Sequence, residues 1–480
     1  MILTTQHKYG LAGVVSLFSL FLTAVDTRCA LQLSIIMYLA LLLMATWGWK
    51  NLVKSGAFGY LALHVGVLIW YLFPAIAILF NSEGNTISAV ERHFTMQEFS
   101  KTLRMVFLFS MFSTITYVCV GFLKKETILS KDNSGSEQLI DFKSRNLNRI
   151  IVISVVGLSI SLIPYLLSGL STAAIFAAII AERTSDLKVW SIGGNIGGVE
   201  SLRVVLSRYL SISSFCVLSC ILLDRRAEIL GNVRKLLFVL LLIVGFVILA
   251  DTGTRSLLLL FVGPVIMLYG IKNEQVLSNR NLWLVTIVLL MMAQIQLMSR
   301  SGVSIQEVGP SALFRNAITL NGSTDFFSET MFAVNIVVQK HGYIFESNVW
   351  LFLVHLVPRA IWVGKPVSEV SEIFIFERWG IDIYTQGGNV LPGVVGQYYM
   401  SQGVIGVLLG GVFFGVLCKF IDNRLNVVLN SRSVGFSECW LFLIACGVFL
   451  SYRSLSPGLF VPVVFLFIML GLGRLRVSYY

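Results

Sequence analysis

Three arginines stand in short polar interruptions between long apolar runs: Arg255 in DTGTRS, Arg300 in LMSRSG and Arg453 in LSYRSLSPG. A guanidinium group binds phosphate oxygens through two parallel hydrogen bonds and keeps its charge when water is removed. Arg255 is the most restricted, because its interruption is a tight hairpin bent at Gly253. These positions predict arginines at the depth of lipid headgroups, where they either pair with local acids such as Asp251 or bind a polyanionic, lipid-linked substrate.

A carboxylate follows in a stretch with helical character. Residues 323–337, STDFFSETMFAVNIV, predict a helix that begins with capping Ser or Asp residues and carries Glu329 in its first turn. In that position the carboxylate either complements the helix dipole or acts as a general base that accepts a proton from a hydroxyl group.

Two later segments bring polar and aromatic residues close together. LVPRAIWVGKP, residues 356–366, contains Arg359 and Lys365. YTQGGNVLPGVVGQYYMSQG, residues 384–403, is rich in glycine, amides and aromatic rings. This composition either suits the faces and hydroxyl groups of sugars or serves turns in a loop that precedes a membrane helix.

Other common site chemistries are missing from the sequence. The seven cysteines lie in or at the ends of apolar runs, and the five histidines form no closely spaced set. We therefore predict no zinc site. No P-loop or kinase signature occurs, and GGNIGG at 193–198 lacks the preceding strand of a dinucleotide-binding unit. ATP-driven chemistry is not indicated.

Composition requires that membrane helices position these residues. The 480 residues are 56% apolar and 13% charged, whereas soluble proteins carry about 25% charged residues. A water-soluble enzyme and a disordered chain are both excluded. Because a helix needs about 20 mostly apolar residues to cross a bilayer, we predict spans at 9–25, 29–49, 56–80, 105–123, 150–167, 204–223, 236–250, 256–271, 282–298, 403–418, 436–450 and 457–472.

The basic residues orient these twelve predicted spans. With the N-terminus in the cytoplasm, 20 of the 36 basic residues and nine of the 25 acidic residues fall on the cytoplasmic side. The whole formal charge of +11 then lies inside, as the positive-inside rule expects, so it does not indicate nucleic acid as a partner. Both termini come out cytoplasmic. The outer face is neutral, but 12 of its 16 basic residues are arginines.

The expected fold is an all-α polytopic membrane protein in three parts. A loop of about 100 residues is too long for a simple connection and is usually functional. Within that loop the apolar stretch 350–363 is short and interrupted by His355, so we predict a re-entrant or interfacial helix. The three parts are residues 1–299 with spans one to nine, a cytoplasmic linker at 124–149 and an external loop at 168–202; the large external loop 300–402; and the last three spans in 403–480.

Together these motifs resemble the Wzy-type oligosaccharide repeat-unit polymerases, the O-antigen polymerases. The resemblance rests on the TGTRS hairpin, the glutamate-bearing helix after an external arginine, PR-x-IW-x-x-KP, GGNVLPG-x-x-GQYY-x-x-x-G ahead of a glycine-rich span, and the late arginine in YRS. It covers most of 236–456. Outside that range only the number and topology of the spans match.

The resemblance implies a GT-C-like membrane glycosyltransferase that works at the periplasmic face of the bacterial inner membrane. Such an enzyme transfers a growing glycan from undecaprenyl diphosphate to the terminal sugar of a new lipid-linked repeat unit, with inversion at the anomeric carbon. It implies no metal or other cofactor. Its implied partners are the two lipid-linked glycans, the bilayer and a separate chain-length regulator.

The resemblance also implies roles for individual residues. Arg255, Arg359 and Arg453 would stabilise the charge that develops on the departing lipid diphosphate. Glu329 is the best match to a general base. The residues expected to bind substrate around them are Arg300, Asp325, His355, Lys365, Arg378, Asn389, Gln397 and Tyr398.

Two other functions stay open on the sequence alone. An O-antigen ligase has a similar number of spans, a large late external loop and the same kind of donor, but its acceptor is the lipid A core. A transporter or flippase of lipid-linked oligosaccharides would show internal repeats, midplane charges and matching broken helices. The predicted spans carry almost no charge at mid-helix, which favours a glycosyltransferase.

Overall fold

The computed structural model is mostly helical, as the composition predicts, and it contains one β-hairpin. The structure describes a part of the chain, which consists of residues 19–25, 27–46, 57–81, 86–89, 92–129, 152–160, 209–218, 326–346, 368–380, 391–430, 439–452 and 461–474, with 171, 260, 263–264, 354, 362 and 366. The hairpin pairs β1 (Thr86–Ala89) with β2 (Arg92–Thr95). The helices are α1 (Arg28–Thr46), α2 (Phe58–Val67), α3 (Phe73–Asn81), α4 (Met96–Leu129), α5 (Phe326–Phe332), α6 (Val338–His341), α7 (Glu369–Trp379), α8 (Gly393–Asn430), α9 (Cys439–Ser451) and α10 (Val461–Arg474).

Three helical stretches in the described residues are long and apolar enough to cross a membrane: Phe58–Leu79, Met96–Gly121 and Gly393–Asn426. They coincide with the third, fourth and tenth predicted spans. The prediction of a helical membrane protein is confirmed at this level. Spans that fall outside the described residues, the total of twelve and the GT-C-like arrangement stay predictions.

Helix α4 runs parallel to α8, because successive residues of α4 meet successive residues of α8. A Cβ on Gly411 would lie 2.7 Å from the carbonyl oxygen of Phe109, and one on Gly415 would meet that of Ser113. Small residues at these positions let the two backbones approach closely, as is common between membrane helices. Helix α2 runs antiparallel to α8. Gly59 lies against Cys418, whereas Gly66 lies against Tyr452, which packs on the earlier residue Phe414.

A buried carboxylate ties the far ends of three helices together. Asp422 of α8, 1% exposed, accepts hydrogen bonds from the backbone N–H groups of Gly59 and Tyr60 at 2.6 and 2.9 Å. It also accepts one from the Tyr117 hydroxyl at 2.7 Å. Asp422 therefore caps the N-terminus of α2 from a distant helix. The sequence interpretation had placed it in a cytoplasmic loop, because the apolar run before it ends at Cys418.

Helix α8 is broken at Gln402 and Gly403, and its first part folds back. Gly403 has φ 62° and ψ −144°, which strongly favours glycine. A Cβ on Gly410 would lie 2.5 Å from the ring of Tyr398, although a continuous helix would separate these residues by about 18 Å. The range 393–401 is therefore a helix packed beside the start of the membrane span. A loop with turns was one interpretation of 384–403, and in the structure residues 393–401 of this range are helical.

The β-hairpin departs from the predicted all-α fold. Ile87 and Phe94 pair across it and are almost fully buried. Directly after β2, Thr95 and Glu98 form a capping box, in which Glu98 Oε2 accepts a hydrogen bond from the Thr95 N–H at 2.8 Å. Helix α4 therefore begins at Met96, nine residues before the predicted span. We call the end of the helix bundle that carries β1 and β2 the hairpin end.

Candidate active site

Three of the segments singled out in the sequence are joined by hydrogen bonds. The Thr330 hydroxyl of α5 donates a hydrogen bond to the Pro392 carbonyl at 2.7 Å, so the glutamate-bearing helix touches the start of the VLPG turn. The Val394 N–H donates to the carbonyl of Tyr452 at 3.3 Å. Tyr71 joins them, because its hydroxyl donates to that carbonyl at 2.8 Å. Tyr452 of the YRS motif, the VLPG segment and α5 therefore share one junction.

The predicted helix with Glu329 in its first turn is confirmed, with α5 as its described part. It continues through a π-helical turn, Ala333–Val337, into α6. A second π-helical turn, Leu68–Leu72, holds Tyr71 between α2 and α3. Single π turns inside helices are frequently found at functional sites. Both of them border this junction.

Glu329 forms an ion pair with Arg378 of α7. Arg378 Nε lies 3.4 Å from Glu329 Oε2, and each side chain is only 8% exposed. Breaking such a pair leaves one charge buried, so the two residues depend on each other. The sequence interpretation assigned Glu329 to catalysis and Arg378 to substrate binding, and the structure brings these two together.

A second arginine, Arg92, lies near the ring of Phe332, which Arg378 also approaches. The guanidinium carbon of Arg92, in β2, is 5.0 Å from the centre of the Phe332 ring, and that of Arg378 is 5.9 Å from it. Arg378 also stacks on Trp379, at 4.0 Å from the ring. Aromatic faces attract guanidinium groups. Arg92 was not among the predicted site residues. In the sequence it is only one of the 12 arginines predicted for the outer face.

Helix α7, which carries Arg378, is fixed at both ends by the segment 340–346. At its N-terminus, Glu346 accepts hydrogen bonds from the Ser368 hydroxyl and the Glu369 N–H, both at 2.8 Å. Burial raises the pKa of Glu346 above its usual value. Ser368 itself caps the helix by accepting from the Ser371 N–H.

At the other end, Glu377 lies 2.7 Å from Lys340 Nζ and 2.9 Å from His341 Nε2. The hydrogen bond from Lys340 lowers the pKa of Glu377. Gly380 then ends the helix in the left-handed conformation. The position of Arg378 beside Glu329 is therefore set by contacts on both sides of it.

Of the other predicted substrate-binding residues, Gln397 and Tyr398 lie in the first part of α8. Gln397 is buried, and Tyr398 packs against Gly406 and Gly410. For Tyr398 the structure shows a packing role in the fold-back of α8. Eight predicted residues lie outside the described part of the chain: Arg255, Arg300, Asp325, His355, Arg359, Lys365, Asn389 and Arg453.

Within the described ranges no three His, Cys, Asp or Glu side chains gather as metal ligands would. Comparisons of the chain with models of protein families, with curated proteins and with solved structures find no match. The function is therefore inferred from the site and from the sequence motifs.

Proposed function

We propose that this protein polymerises undecaprenyl-diphosphate-linked oligosaccharide repeat units, as in the synthesis of O-antigen or a related surface polysaccharide. The observation that carries the proposal is the buried Glu329–Arg378 ion pair between α5 and α7. The next residue of α5, Thr330, bonds the VLPG segment, and that segment bonds Tyr452 of the YRS motif. These are the same segments that carry the sequence resemblance. Arg92 of β2 and Arg378 both lie near the Phe332 ring of α5, so the pair is linked to the hairpin end, which suits a substrate whose diphosphate lies at the membrane surface.

In the proposed reaction the acceptor sugar hydroxyl attacks the anomeric carbon of the donor glycan. The new glycosidic bond forms as the bond from that carbon to the lipid diphosphate breaks, and the hydroxyl proton passes to the Glu329 carboxylate. The electron pair of the broken bond leaves on the diphosphate. The donor is already activated, so the step requires neither a nucleotide sugar nor ATP.

Arginines stabilise the leaving group in this proposal. Arg378 holds the Glu329 carboxylate in place, and Arg92 adds a second guanidinium group beside Phe332. Arg255, Arg359 and Arg453 are proposed to contact the diphosphate, since fixed positive groups in a poorly hydrated site stabilise developing negative charge. The reaction is placed at the periplasmic face of the inner membrane, with both termini in the cytoplasm and a separate chain-length regulator as partner.

Deletion of the gene tests this function and separates it from the nearest alternative. Loss of a polymerase leaves lipopolysaccharide capped by single repeat units on a glycan gel, whereas loss of an O-antigen ligase leaves bare core. Accumulation of single repeat units on the cytoplasmic side would instead indicate a flippase. Complementation with the intact chain should restore the ladder, and complementation with Glu329→Gln at equal protein level should not. An unchanged ladder after deletion would overturn the proposal.

A further inference from the structure

Four large aromatic side chains are exposed on α7 and on the segment beside it. Tyr343 and Phe345 are 58% and 81% exposed, and Phe376 and Trp379 are 59% and 45% exposed. We call these four residues the aromatic rim. Single exposed apolar residues are common, but a group of this size indicates a surface that meets an apolar partner.

Tyr343 and Phe345 lie on the segment that runs along α7. Ile344, between them, is buried, and its N–H donates a hydrogen bond to the Met400 carbonyl at 2.8 Å. Since side chains alternate along an extended chain, Phe345 faces away from the protein, whereas the ring of Tyr343 lies against Tyr399 with more than half of its surface exposed. The ion pair of Lys340 with Glu377 and the bond of Glu346 to Glu369 place this segment beside α7.

Phe376 and Trp379 occupy one face of α7, because they are three residues apart on the helix. The residues Val370, Phe374 and Ile375 are buried against the rest of the protein. The exposed face of α7 and the exposed side of the segment 342–346 therefore belong to neighbouring elements that are tied to each other at both ends.

The aromatic rim continues the lipid-facing surface of α8. The ring of Tyr343 contacts Gly403, where a Cβ would lie 2.8 Å from it. Directly after Gly403 begins a stripe of exposed apolar residues spaced by three or four positions, which a helix places on one face. In a membrane-length helix such a stripe faces acyl chains. Its members are Ile405, Leu409, Phe413, Val416 and Phe420.

We propose that the aromatic rim inserts into the boundary between headgroups and acyl chains of the leaflet at the hairpin end. Tyr and Trp, such as Tyr343 and Trp379, concentrate at this depth because they combine large apolar area with a polar group, and Phe345 and Phe376 add apolar area. The rim fixes α7, and through it Arg378, at the level of lipid phosphates. The bilayer itself is the occupant of this surface, and the proposal stands independently of the catalytic function.

Spin-label depth measurement tests this proposal in the full chain. The seven native cysteines are replaced, a nitroxide is attached at Phe345→Cys or Phe376→Cys, and the protein is reconstituted in vesicles of phosphatidylethanolamine and phosphatidylglycerol. Leu409→Cys serves as the reference for lipid and Ser134→Cys, in the polar linker, as the reference for water. Collision rates with oxygen and with a water-soluble nickel complex give the depth of each label.

We expect the nickel complex to reach the labels at Phe345 and Phe376 several-fold less than the label at Ser134, while oxygen reaches them nearly as well as Leu409. The corresponding depth is about 5–10 Å inside the headgroup region. Nickel accessibility equal to that of Ser134 would overturn the proposal, because the rim would then face water. Low accessibility to both reagents, or spin–spin broadening between labelled copies, would also overturn it by showing a protein partner on this surface.

Discussion

At the scale of single residues, the central feature is the buried ion pair between the Glu329 carboxylate and the Arg378 guanidinium group. Glu329 and Arg378 are both 8% exposed and lie 3.4 Å apart. Removing one partner of a buried pair costs about 3–5 kcal/mol, whereas neutralising both is often tolerated. This difference allows the structural and the catalytic contributions of Glu329 to be separated.

Glu329→Gln should lower both stability and polymerisation. A missing general base reduces a rate by about 10²–10⁴-fold, and the unpaired Arg378 destabilises the fold. The double variant Glu329→Gln/Arg378→Gln should recover much of the melting temperature in detergent but none of the activity on a glycan gel. Glu369→Gln, which changes an exposed carboxylate on α7, is the matched control. Activity that returns together with stability would show that Glu329 is only structural.

At the scale of elements, α7 and α8 carry the geometry of the site, and each depends on a local feature. Helix α7 is held to the segment 340–346 by Glu377 at one end and Glu346 at the other. Helix α8 turns back on itself at Gly403. The contact of Glu377 depends on pH, and the turn at Gly403 depends on the absence of a side chain.

The contact of Glu377 with Lys340 and His341 should weaken in acid. Because the pKa of Glu377 is lower in the folded protein than its ordinary value of 4.5, its contribution to stability is present above about pH 4.5 and is lost as the pH falls through the lowered pKa. The difference in melting temperature between the natural protein and Glu377→Gln should therefore shrink below pH 4.5. A difference that is constant from pH 7 to pH 3 would contradict an ionic role.

Gly403→Ala should destabilise the protein more than Gly380→Ala. Gly380 has φ 65° and ψ 19°, a left-handed conformation that costs a residue with a Cβ about 1–2 kcal/mol. Gly403 has φ 62° and ψ −144°, a conformation that is nearly restricted to glycine. Gly380 also has nothing within 4 Å of an added Cβ, whereas at Gly403 that atom would lie 2.8 Å from the Tyr343 ring. Thermal unfolding of the two variants in the same detergent measures the difference. Equal losses would contradict a special requirement for glycine at position 403.

At the scale of the whole molecule, the packing of the long helices constrains which segments share a side of the membrane. Helix α4 begins at the hairpin end and runs parallel to α8, whose Asp422 lies at the opposite end beside Gly59. We therefore expect the segment that follows α4 to lie across the membrane from α5, α6 and α7. The positive-inside rule predicts that the side of the basic linker 124–149 is the cytoplasmic one.

Cysteine labelling in intact cells should reveal this arrangement. With the exposed Cys29 and Cys119 replaced, an impermeant thiol reagent is expected to label Gln339→Cys, on α6, and not Ser134→Cys, in the linker. Permeabilised cells should label both and so serve as the control. Labelling of Ser134→Cys alone would invert the predicted sides, and labelling of both in intact cells would contradict the crossing by α4.

The sequence by itself determined the membrane helices and the glutamate-bearing helix. Apolar length and helical spacing are local properties, so the spans 56–80 and 105–123 and the helix at Glu329 were predictable from neighbouring residues. The hairpin before α4 was missed, because two strands of four residues give little periodic signal. The helix at 393–401 was not predicted, because Gly393, Gly396 and the preceding Pro392 are residues typical of turns.

Only the tertiary structure decided which distant groups meet. No local pattern connects Glu329 with Arg378 or brings Arg92 to Phe332, because these contacts join segments that are far apart in the chain. The same holds for Asp422, which looked like a residue of a polar loop and proves to cap α2. Local sequence sets the period and polarity of each helix, whereas the partners of buried charges depend on how the helices pack, since a desolvated charge is stable only where packing supplies its counter-charge or hydrogen bonds.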